Sequence, residues 1–260
     1  MRWSGSLVPR HTAKKLAAVV LTSGLAVFAL AGCYINVNAG ALQHRTRSYS
    51  VTGPVQTLVV DAHVGGVRVT GGSAKISVTE HISYRHTVPV TTHQVAAGTL
   101  TLDSNCPAGE SCGVAYDITV PRSLTLRVSD DVGTIRLSSL AGPVTARTDA
   151  GDIDLASVSG PVNITGMAGS ILGQNVSSAN ASLHVAAGTI DVTFSAAPAT
   201  LTATATAGSV TLRVPGSVPY AVSASTSVGS VQVGVLNSAA SPHAITAWTT
   251  TGSVTIEPAP

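Results

Sequence analysis

Five aspartates near the middle of the chain come closest, by type and spacing, to a chemical site. They are Asp130, Asp131, Asp149, Asp152 and Asp154. Asp131 and Asp149 each stand two residues before a glycine of a repeated phrase, so they would stack on adjacent layers. Paired carboxylates can bind calcium or perform acid–base hydrolysis. Because aspartate before glycine is also ordinary turn chemistry, we expect a structural role. A calcium site at Asp131, Asp149 and Asp152, or catalysis, stays open as an alternative.

Two cysteines, Cys106 and Cys112, bracket the segment Pro-Ala-Gly-Glu-Ser. A redox motif would normally have the tighter spacing Cys-x-x-Cys, and a zinc site would need two more ligands nearby. In an exported chain an even pair this close is most simply a disulfide that closes a turn. On a loop-entropy basis such a bond contributes roughly 2 kcal/mol.

Other catalytic signatures are missing from the sequence. The histidines show no metal-ligand spacing, and the nucleophile-elbow, dinucleotide-binding and P-loop patterns are absent. We therefore predict a protein that is not an enzyme and that holds no metal or cofactor. Trp248 is the remaining candidate contact residue, since it falls on an outward-facing column near the C-terminal end. Packing beneath the last loop is the alternative for this side chain.

A five-residue phrase that begins with glycine returns seven times and predicts the elements that carry these residues. Its glycines are Gly133, Gly151, Gly169, Gly188, Gly208, Gly229 and Gly252, spaced by 18, 18, 19, 20, 21 and 23 residues. A near-fixed period of this size is typical of repeat architectures, in which each repeat buries its apolar face against its neighbours.

Alternation within each repeat predicts two short strands. Ile or Val stands two residues after every glycine, between positions that are mostly polar, as in Gly151-Asp-Ile-Asp-Leu. A second alternating strand precedes each glycine, and one of its outward columns reads Arg147, Thr165, His184, Thr204, Ser225 and Trp248. Rungs stacked about 4.8 Å apart would form an all-β, parallel β-solenoid. The register across the repeats favours this fold over an antiparallel sandwich, the alternative.

The first 32 residues have the features of an export signal. A basic start precedes the apolar, uncharged run Leu16–Ala31. The run leads into Leu30-Ala-Gly-Cys33, which resembles the bacterial lipobox. The resemblance implies cleavage before Cys33, lipidation of its thiol, and anchoring on the outer face of the cytoplasmic membrane or at the cell surface. An uncleaved signal anchor is the alternative, because the apolar run is near the lower limit for spanning a bilayer.

Removal of the signal changes the charge balance. The signal holds 4 of the 14 Lys and Arg residues and none of the 12 Asp and Glu residues, which leaves 10 basic against 12 acidic residues. The mature chain thus carries no basic excess that would argue for a nucleic-acid partner.

The remaining chain divides into three parts. We predict a tether over 33–50, an irregular β cap with the first layers over 51–120, and the β-solenoid over 121–260. The segments Gly65-Gly-Val-Arg-Val and Gly98-Thr-Leu-Thr-Leu echo the repeated phrase, and terminal repeats are expected to be atypical. We expect the rung at Gly252 to be the last layer, with residues 257–260 as its protection against edge-to-edge pairing.

The sequence resembles a known bacterial family. Tyr116-Asp-Ile-Thr-Val-Pro, the serial Gly-x-Ile-x-Leu rungs and the lipobox are similar to domains of unknown function labelled "putative adhesins", over about residues 51–256. The resemblance implies a β-solenoid and surface interaction, and it transfers no catalytic residues. We expect a surface-exposed, adhesin-like lipoprotein whose partner is an envelope polymer or a protein. An envelope-stress accessory that binds a membrane partner or an antimicrobial peptide is the alternative, and a carbohydrate-active enzyme is less favoured.

Overall fold

The computed structural model describes residues 41–260, so the predicted signal and Cys33 lie outside the described residues. The described part belongs to one compact unit and is built from strands, without a helix in residues 41–260 that could cross a membrane. The strands are β1 Gln43–Val51, β2 Thr57–Gly71, β3 Ile76–Tyr84, β4 Val90–Ala96, β5 Thr99–Asn105, β6 Cys112–Val120, β7 Thr125–Val132, β8 Ile135–Ser138, β9 Val144–Ala150, β10 Ile153–Ala156, β11 Val162–Ala168, β12 Ile171–Val176, β13 Asn180–Ala187, β14 Ile190–Phe194, β15 Thr200–Ala207, β16 Val210–Val214, β17 Ala221–Val228, β18 Val231–Val233, β19 Ala244–Thr251 and β20 Val254–Pro258.

Two sheets of mostly parallel strands form the walls of a solenoid, which confirms the predicted fold class. Sheet A holds the short strands after each glycine, in the order β8, β10, β12, β14 and β16. Sheet B holds the strands before each glycine, in the order β7, β9, β11, β13 and β15. Equivalent residues face each other, as Ile153 faces Ile135 on one side and Ile171 on the other.

The C-terminal layers do not stack in sequence order, and the prediction that the Gly252 rung ends the solenoid is wrong. Strand β19 pairs with β15 and β17, and β20 pairs with β16 and β18. The last segment of the chain therefore inserts between two earlier rungs. The outermost layer consists of β17 and β18, and Glu257 and Pro258 are paired inside the stack with Arg213 and Val214.

The N-terminal layers show the same feature. The first half of β2 lies between β5 and β7 in sheet B, and its second half lies between β6 and β8 in sheet A. Strand β2 forms the first rung along the chain, but strands that come later in the sequence lie on both sides of it. The region predicted as an irregular cap over 51–120 therefore contains a regular parallel rung.

Antiparallel strands close the N-terminal end. Strand β3 pairs with β6, β1 pairs with β3, and β4 pairs with β5. Strand β1 begins at Gln43, so residues 43–50 of the segment predicted as a tether over 33–50 are part of the sheet rather than a linker. The sequence of β1 does not alternate between apolar and polar residues in the way that predicts a strand, because β1 is exposed along almost its whole length.

The core runs along the solenoid between the two sheets. Ile153 and Leu155 point inward and are buried, while Asp152 is exposed, as the alternation predicted. Small residues such as Ala203, Ala205 and Ala247 occupy much of the inner face of sheet B. One continuous cluster of buried apolar side chains joins all the layers, which is the usual source of stability in a repeat fold.

The glycine column at the corner between the sheets has two causes. Gly151 has a φ of 141°, a conformation that side chains rarely adopt, and a Cβ atom there would overlap the carbonyl oxygen of Gly133 in the layer below. A Cβ atom on Gly252 would overlap the carbonyl oxygen of Gly208 in the same way, and one on Gly229 would overlap that of Gly252. The glycine contacts therefore report the true order of the layers.

Candidate functional site

The outward side of sheet B carries a field of hydroxyl groups in its C-terminal layers. Strands β13, β15, β19 and β17 are neighbours in that order, and none of them contains Asp, Glu, Lys or Arg. We call their outward residues the hydroxyl face: Ser182, His184, Thr200, Thr202, Thr204, Thr206, Thr246, Trp248, Thr250, Ser223, Ser225 and Ser227. Because parallel layers repeat about every 4.8 Å, these side chains form a regular grid.

Trp248 lies within this grid and not beneath a terminal loop. Its backbone is paired with Thr204 on one side and Ser225 on the other. The side chain is 40% exposed, which is high for an aromatic residue flanked on both sides by strands. The sequence predicted its outward direction correctly. Its place one layer below the end of the solenoid follows only from the inserted position of β19.

A shallow groove of about 330 Å³ runs across the start of the same sheet face. It is lined by Pro143, Val144, Thr145, Pro161, Val162, Asn163, Asn180, Ala181, Ser182, Thr200 and Thr202. Thr202 and Ser182 belong to the hydroxyl face as well, so the groove and the face form one continuous uncharged surface. Beside it, His184 Nδ1 lies 2.7 Å from Thr204 Oγ1, which links two layers.

The aspartates that suggested a calcium or catalytic site are held in separate pairs. Asp131 Oδ2 lies 2.6 Å from His63 Nδ1, and Asp149 Oδ1 accepts a hydrogen bond of 2.7 Å from Arg147. The Asp152 carboxylate accepts the backbone N–H of Ser170 in the next layer. Asp154 pairs with Arg136 in the adjacent layer. Within residues 41–260 no three His, Cys, Asp or Glu side chains converge as metal ligands.

His63 is the partner that the sequence did not assign to Asp131. It lies in β2, sixty-eight residues earlier, and reaches Asp131 because β2 pairs with β7. The hydrogen bond that the His63 imidazole donates to the Asp131 carboxylate raises the pKa of His63.

Asp130 is the member of the aspartate group whose burial the sequence analysis missed. It is only 1% exposed, and neither carboxylate oxygen has a hydrogen-bond partner among the described residues. Burial, and then the charge of Asp131, raises the pKa of Asp130 to about 6, with the backbone amide of Val132 and His63 acting in the opposite direction. The hydroxyl of Thr148, in the adjacent layer, is likewise buried without a partner. The period-two alternation along β7 could have predicted this burial, since Asp130 occupies an inward position.

A second buried acid, Glu80, holds the N-terminal end together. Its Oε1 accepts a hydrogen bond of 2.9 Å from the Tyr49 hydroxyl in β1, and its Oε2 accepts one of 3.0 Å from Thr91 in β4. Arg47 lies 3.7 Å from the same carboxylate. Tyr49 also stacks on His93 at 4.5 Å. Strands from the edges of both sheets are thus joined through one side chain, which suits a structural role.

The two remaining predicted sites have different outcomes. Cys106 and Cys112 form a disulfide between β5 and β6, with Cα atoms 5.8 Å apart, as predicted. The lipidation site at Cys33 lies outside the described residues, so it stays a prediction.

Three solved structures are similar to this chain over most of its length. A "putative adhesin" from Bacteroides fragilis has a TM-score of 0.48 and 17% identity, over 84% of this chain and 97% of that chain. A "putative cell adhesion protein" from Clostridium sporogenes has a TM-score of 0.40 and 15% identity, over 84% and 100%. A "putative lipid binding protein" from Parabacteroides distasonis has a TM-score of 0.26 and 9% identity, over 85% and 96%. No curated protein matches the chain.

The family assignment rests on the sequence of the folded unit. The model of the family described as Toastrack DUF4097 matches residues 55–257, which extends from just before β2 into β20. The match thus includes every parallel rung of the solenoid, among them the rungs that stack out of order. The chain belongs to the Toastrack DUF4097 family.

Proposed function

We propose that this chain is an exported lipoprotein, anchored through Cys33, whose solenoid is a non-enzymatic, adhesin-like interaction module of the cell envelope. Its hydroxyl face binds an uncharged, hydroxyl-rich polymer of the envelope. The observation that carries the proposal is the exposed indole of Trp248 at the centre of an uncharged grid of Ser and Thr side chains.

The chemistry of this face matches a sugar polymer. An aromatic ring packs against the apolar C–H face of a sugar and leaves a polar edge free for hydrogen bonding. Ser and Thr hydroxyls act as donors and as acceptors, so they complement sugar hydroxyls in either sense. A flat grid that repeats with the layers offers equivalent contacts along an extended chain. The absence of charge from the face makes an anionic polymer a poorer match.

The non-enzymatic part of the proposal is supported by the arrangement of the acids. Asp131, Asp149 and Asp154 each have a basic partner, and they lie outside the hydroxyl face. Asp130 is buried and faces the core.

Binding is tested by the intrinsic fluorescence of Trp248. The chain has two tryptophans, and the other, Trp3, lies in the predicted signal, so the unit Ala39–Pro260 reports on Trp248 alone. Titration with purified envelope polysaccharide is expected to change the emission and to saturate. Trp248→Ala is expected to weaken retention on immobilised polysaccharide at least tenfold. Leu172→Ala is the control, because Leu172 is similarly exposed, at 42%, on the outward side of sheet A.

Two results would contradict this function. Equal retention of the Trp248→Ala and Leu172→Ala variants would exclude the hydroxyl face as the binding surface. Binding that is abolished by salt would indicate an electrostatic partner instead.

The anchor is tested separately on the full chain. Metabolic labelling with a fatty-acid analogue is expected to label the parent and not the Cys33→Ala variant, which should also remain uncleaved. Equal labelling of the two chains would remove the lipoprotein from the proposal without affecting the binding face.

A further inference from the structure

The outermost C-terminal layer has no neighbour on one side. Strand β17 pairs with β19 alone, and β18 pairs with β20 alone. A strand at the end of a stack presents unpaired N–H and C=O groups, which are a template for pairing with another chain. The sequence placed this edge at the wrong rung.

A short loop covers only the beginning of this edge. Tyr220 and Leu236 are joined by a backbone hydrogen bond of 2.8 Å, and the Val222 N–H donates to Asn237 Oδ1. Ala221 N–H points the other way, to His243 in the inner layer. Because successive residues of a strand point to opposite edges, Ala224 and Thr226 direct their backbone groups outward beyond the loop.

The end of the core is open above the same layer. Val231 and Val233 are 42% and 38% exposed, whereas Val254 and Ile256, which pair with them in the layer below, are fully buried. Val228 and Leu236 are also exposed beside them. The inward side chains of the terminal rung are therefore covered from one side only, and their other side is an apolar patch.

The two ends of the solenoid differ in their content of charged residues. From Val214 to Ile256 the chain contains no Asp, Glu, Lys or Arg, so the open layer lacks the charged residues that usually protect an edge. The opposite edge, strand β1, carries His44, Arg45 and Arg47. Stacking of one end on the other would desolvate the guanidinium groups of Arg45 and Arg47 against an apolar, uncharged surface, which is unfavourable.

We propose that the open layer of β17 and β18 is a self-association surface, on which a second copy of this chain docks end to end. A two-fold axis perpendicular to the sheets pairs β17 with its copy in antiparallel fashion and brings β18 next to β18. Both sheets continue across the contact, and the Val231 and Val233 side chains of the two copies cover each other. Such an isologous contact closes after two copies and does not lead to a filament.

The size of the surface sets the strength of the association. An eight-residue strand is about 26 Å long, and two packed sheets are about 10 Å apart, so the end of the solenoid offers roughly 260 Å² per copy between the backbones of its two sheets. This is below the usual area of a stable interface, so the dimer is weak in dilute solution. Anchoring of both copies in one membrane would strengthen it by raising the effective concentration.

Sedimentation of the unit Ala39–Pro260 from about 10 μM to about 1 mM tests the proposal in the concentration range where a small interface forms. The apparent mass of the parent is expected to rise towards that of a dimer. Ala224→Pro removes an outward-facing N–H and is expected to stay monomeric with a melting temperature close to the parent. Ser223→Pro is the matched control, because it removes a donor of the β17–β19 ladder and should lower the melting temperature instead.

A charge pair tests the two-fold arrangement. Val231→Lys and Val231→Glu are each expected to weaken dimerisation at least tenfold, and their equimolar mixture is expected to recover it. A parent that stays monomeric at the highest concentration would overturn the proposal, as would an Ala224→Pro variant that dimerises like the parent. Growth beyond a dimer, or a mixture without recovery, would overturn the end-to-end two-fold contact. None of these results depends on binding of a polysaccharide.

Discussion

Arg213 in β16 and Glu257 in β20 form an ion pair, with Nε and Oε1 2.9 Å apart, although β17 and β18 lie between them in the sequence. Arg213 also pairs with Asp191 in β14, on its other side. The hydrogen bond that Arg213 donates to the Asp191 carboxylate is the main cause of the raised pKa of Arg213. This row of alternating charges crosses three neighbouring layers. It is possible only because the C-terminal strand inserts next to β16.

Deletion of residues 257–260 tests the role of this inserted tail. The deletion removes the ion pair, the pairing of Pro258 with Val214 and the hydrogen bond from Ala259 N–H to Val214. We expect the free energy of unfolding to fall by about 1–2 kcal/mol. Glu257→Gln should change it by less than about 0.5 kcal/mol, because the ion pair is exposed to solvent. Chemical denaturation measures both, and an unchanged midpoint for the deletion would contradict the inserted position of β20.

Gly151→Ala tests the glycine column. The new Cβ would meet the Gly133 carbonyl, so the layers would have to separate, and we expect a loss of more than about 3 kcal/mol. Gly72→Ala is the control, since Gly72 also has a positive φ, 126°, but open space around its Cα. It should lose only the cost of the strained backbone, about 1 kcal/mol. Equal melting temperatures for the two variants would mean that stacking does not require glycine.

Ile153→Asp tests the inward column. Ile153 is fully buried in a central layer, so the variant would bury an unpaired charge at a cost of several kcal/mol. Asp152→Ser, at the adjacent exposed position, loses one hydrogen bond to Ser170 and should cost about 1 kcal/mol or less. Thermal unfolding compares the two. Similar losses would refute the assigned alternation.

Asp130 is expected to make stability depend on pH. Its pKa is raised from 3.8 to about 6, so the folded state holds this proton more tightly than the unfolded state does. The resulting stabilisation is fully present below pH 3.8 and is lost as the pH rises through about 6. The difference amounts to about 3 kcal/mol, at 1.36 kcal/mol per pKa unit.

Asp130→Asn removes this titration. The free energy of unfolding of the variant, relative to that of the parent, should therefore be higher at pH 8 than at pH 4, as measured by urea unfolding at both pH values. Asp149→Asn, at an exposed position, is the control and should change far less over the same range. A pH-independent difference between Asp130→Asn and the parent would contradict the buried, partnerless carboxylate.

Repetition in the sequence explains both the success and the failure of the predicted layer order. The pattern of Ile153 and Leu155 recurs in every rung, so it predicts which residues face the core and which corners need glycine. For the same reason it does not distinguish one neighbour from another. Val254 fits against Val210 and Val231 in the same way that Val210 fits against Ile190. No local feature of the sequence therefore predicts that β20 lies between β16 and β18 in the stack.

The candidate surface was only partly predictable. Alternation was sufficient to predict that Trp248, Thr204 and Ser225 point outward. Stacking in sequence order would have put Trp248 in the layer after Ser225, whereas in the structure it lies between Thr204 and Ser225. His63 and Asp131, or Glu80 and Tyr49, come together through pairings between strands that are far apart in the chain. No spacing rule predicts such contacts, because each depends on which strand edges meet.

The sequence by itself determined the period, the two strands of each rung, the inward and outward columns and the glycine corners, because each of these depends on residues within one repeat. The tertiary structure alone decided which rungs touch, which acids are paired or buried, and which layer remains open. The physical reason is that backbone pairing is nearly the same for every rung. The order is set by the ends of the chain, where β1 and β4 close one side and β20 inserts at the other.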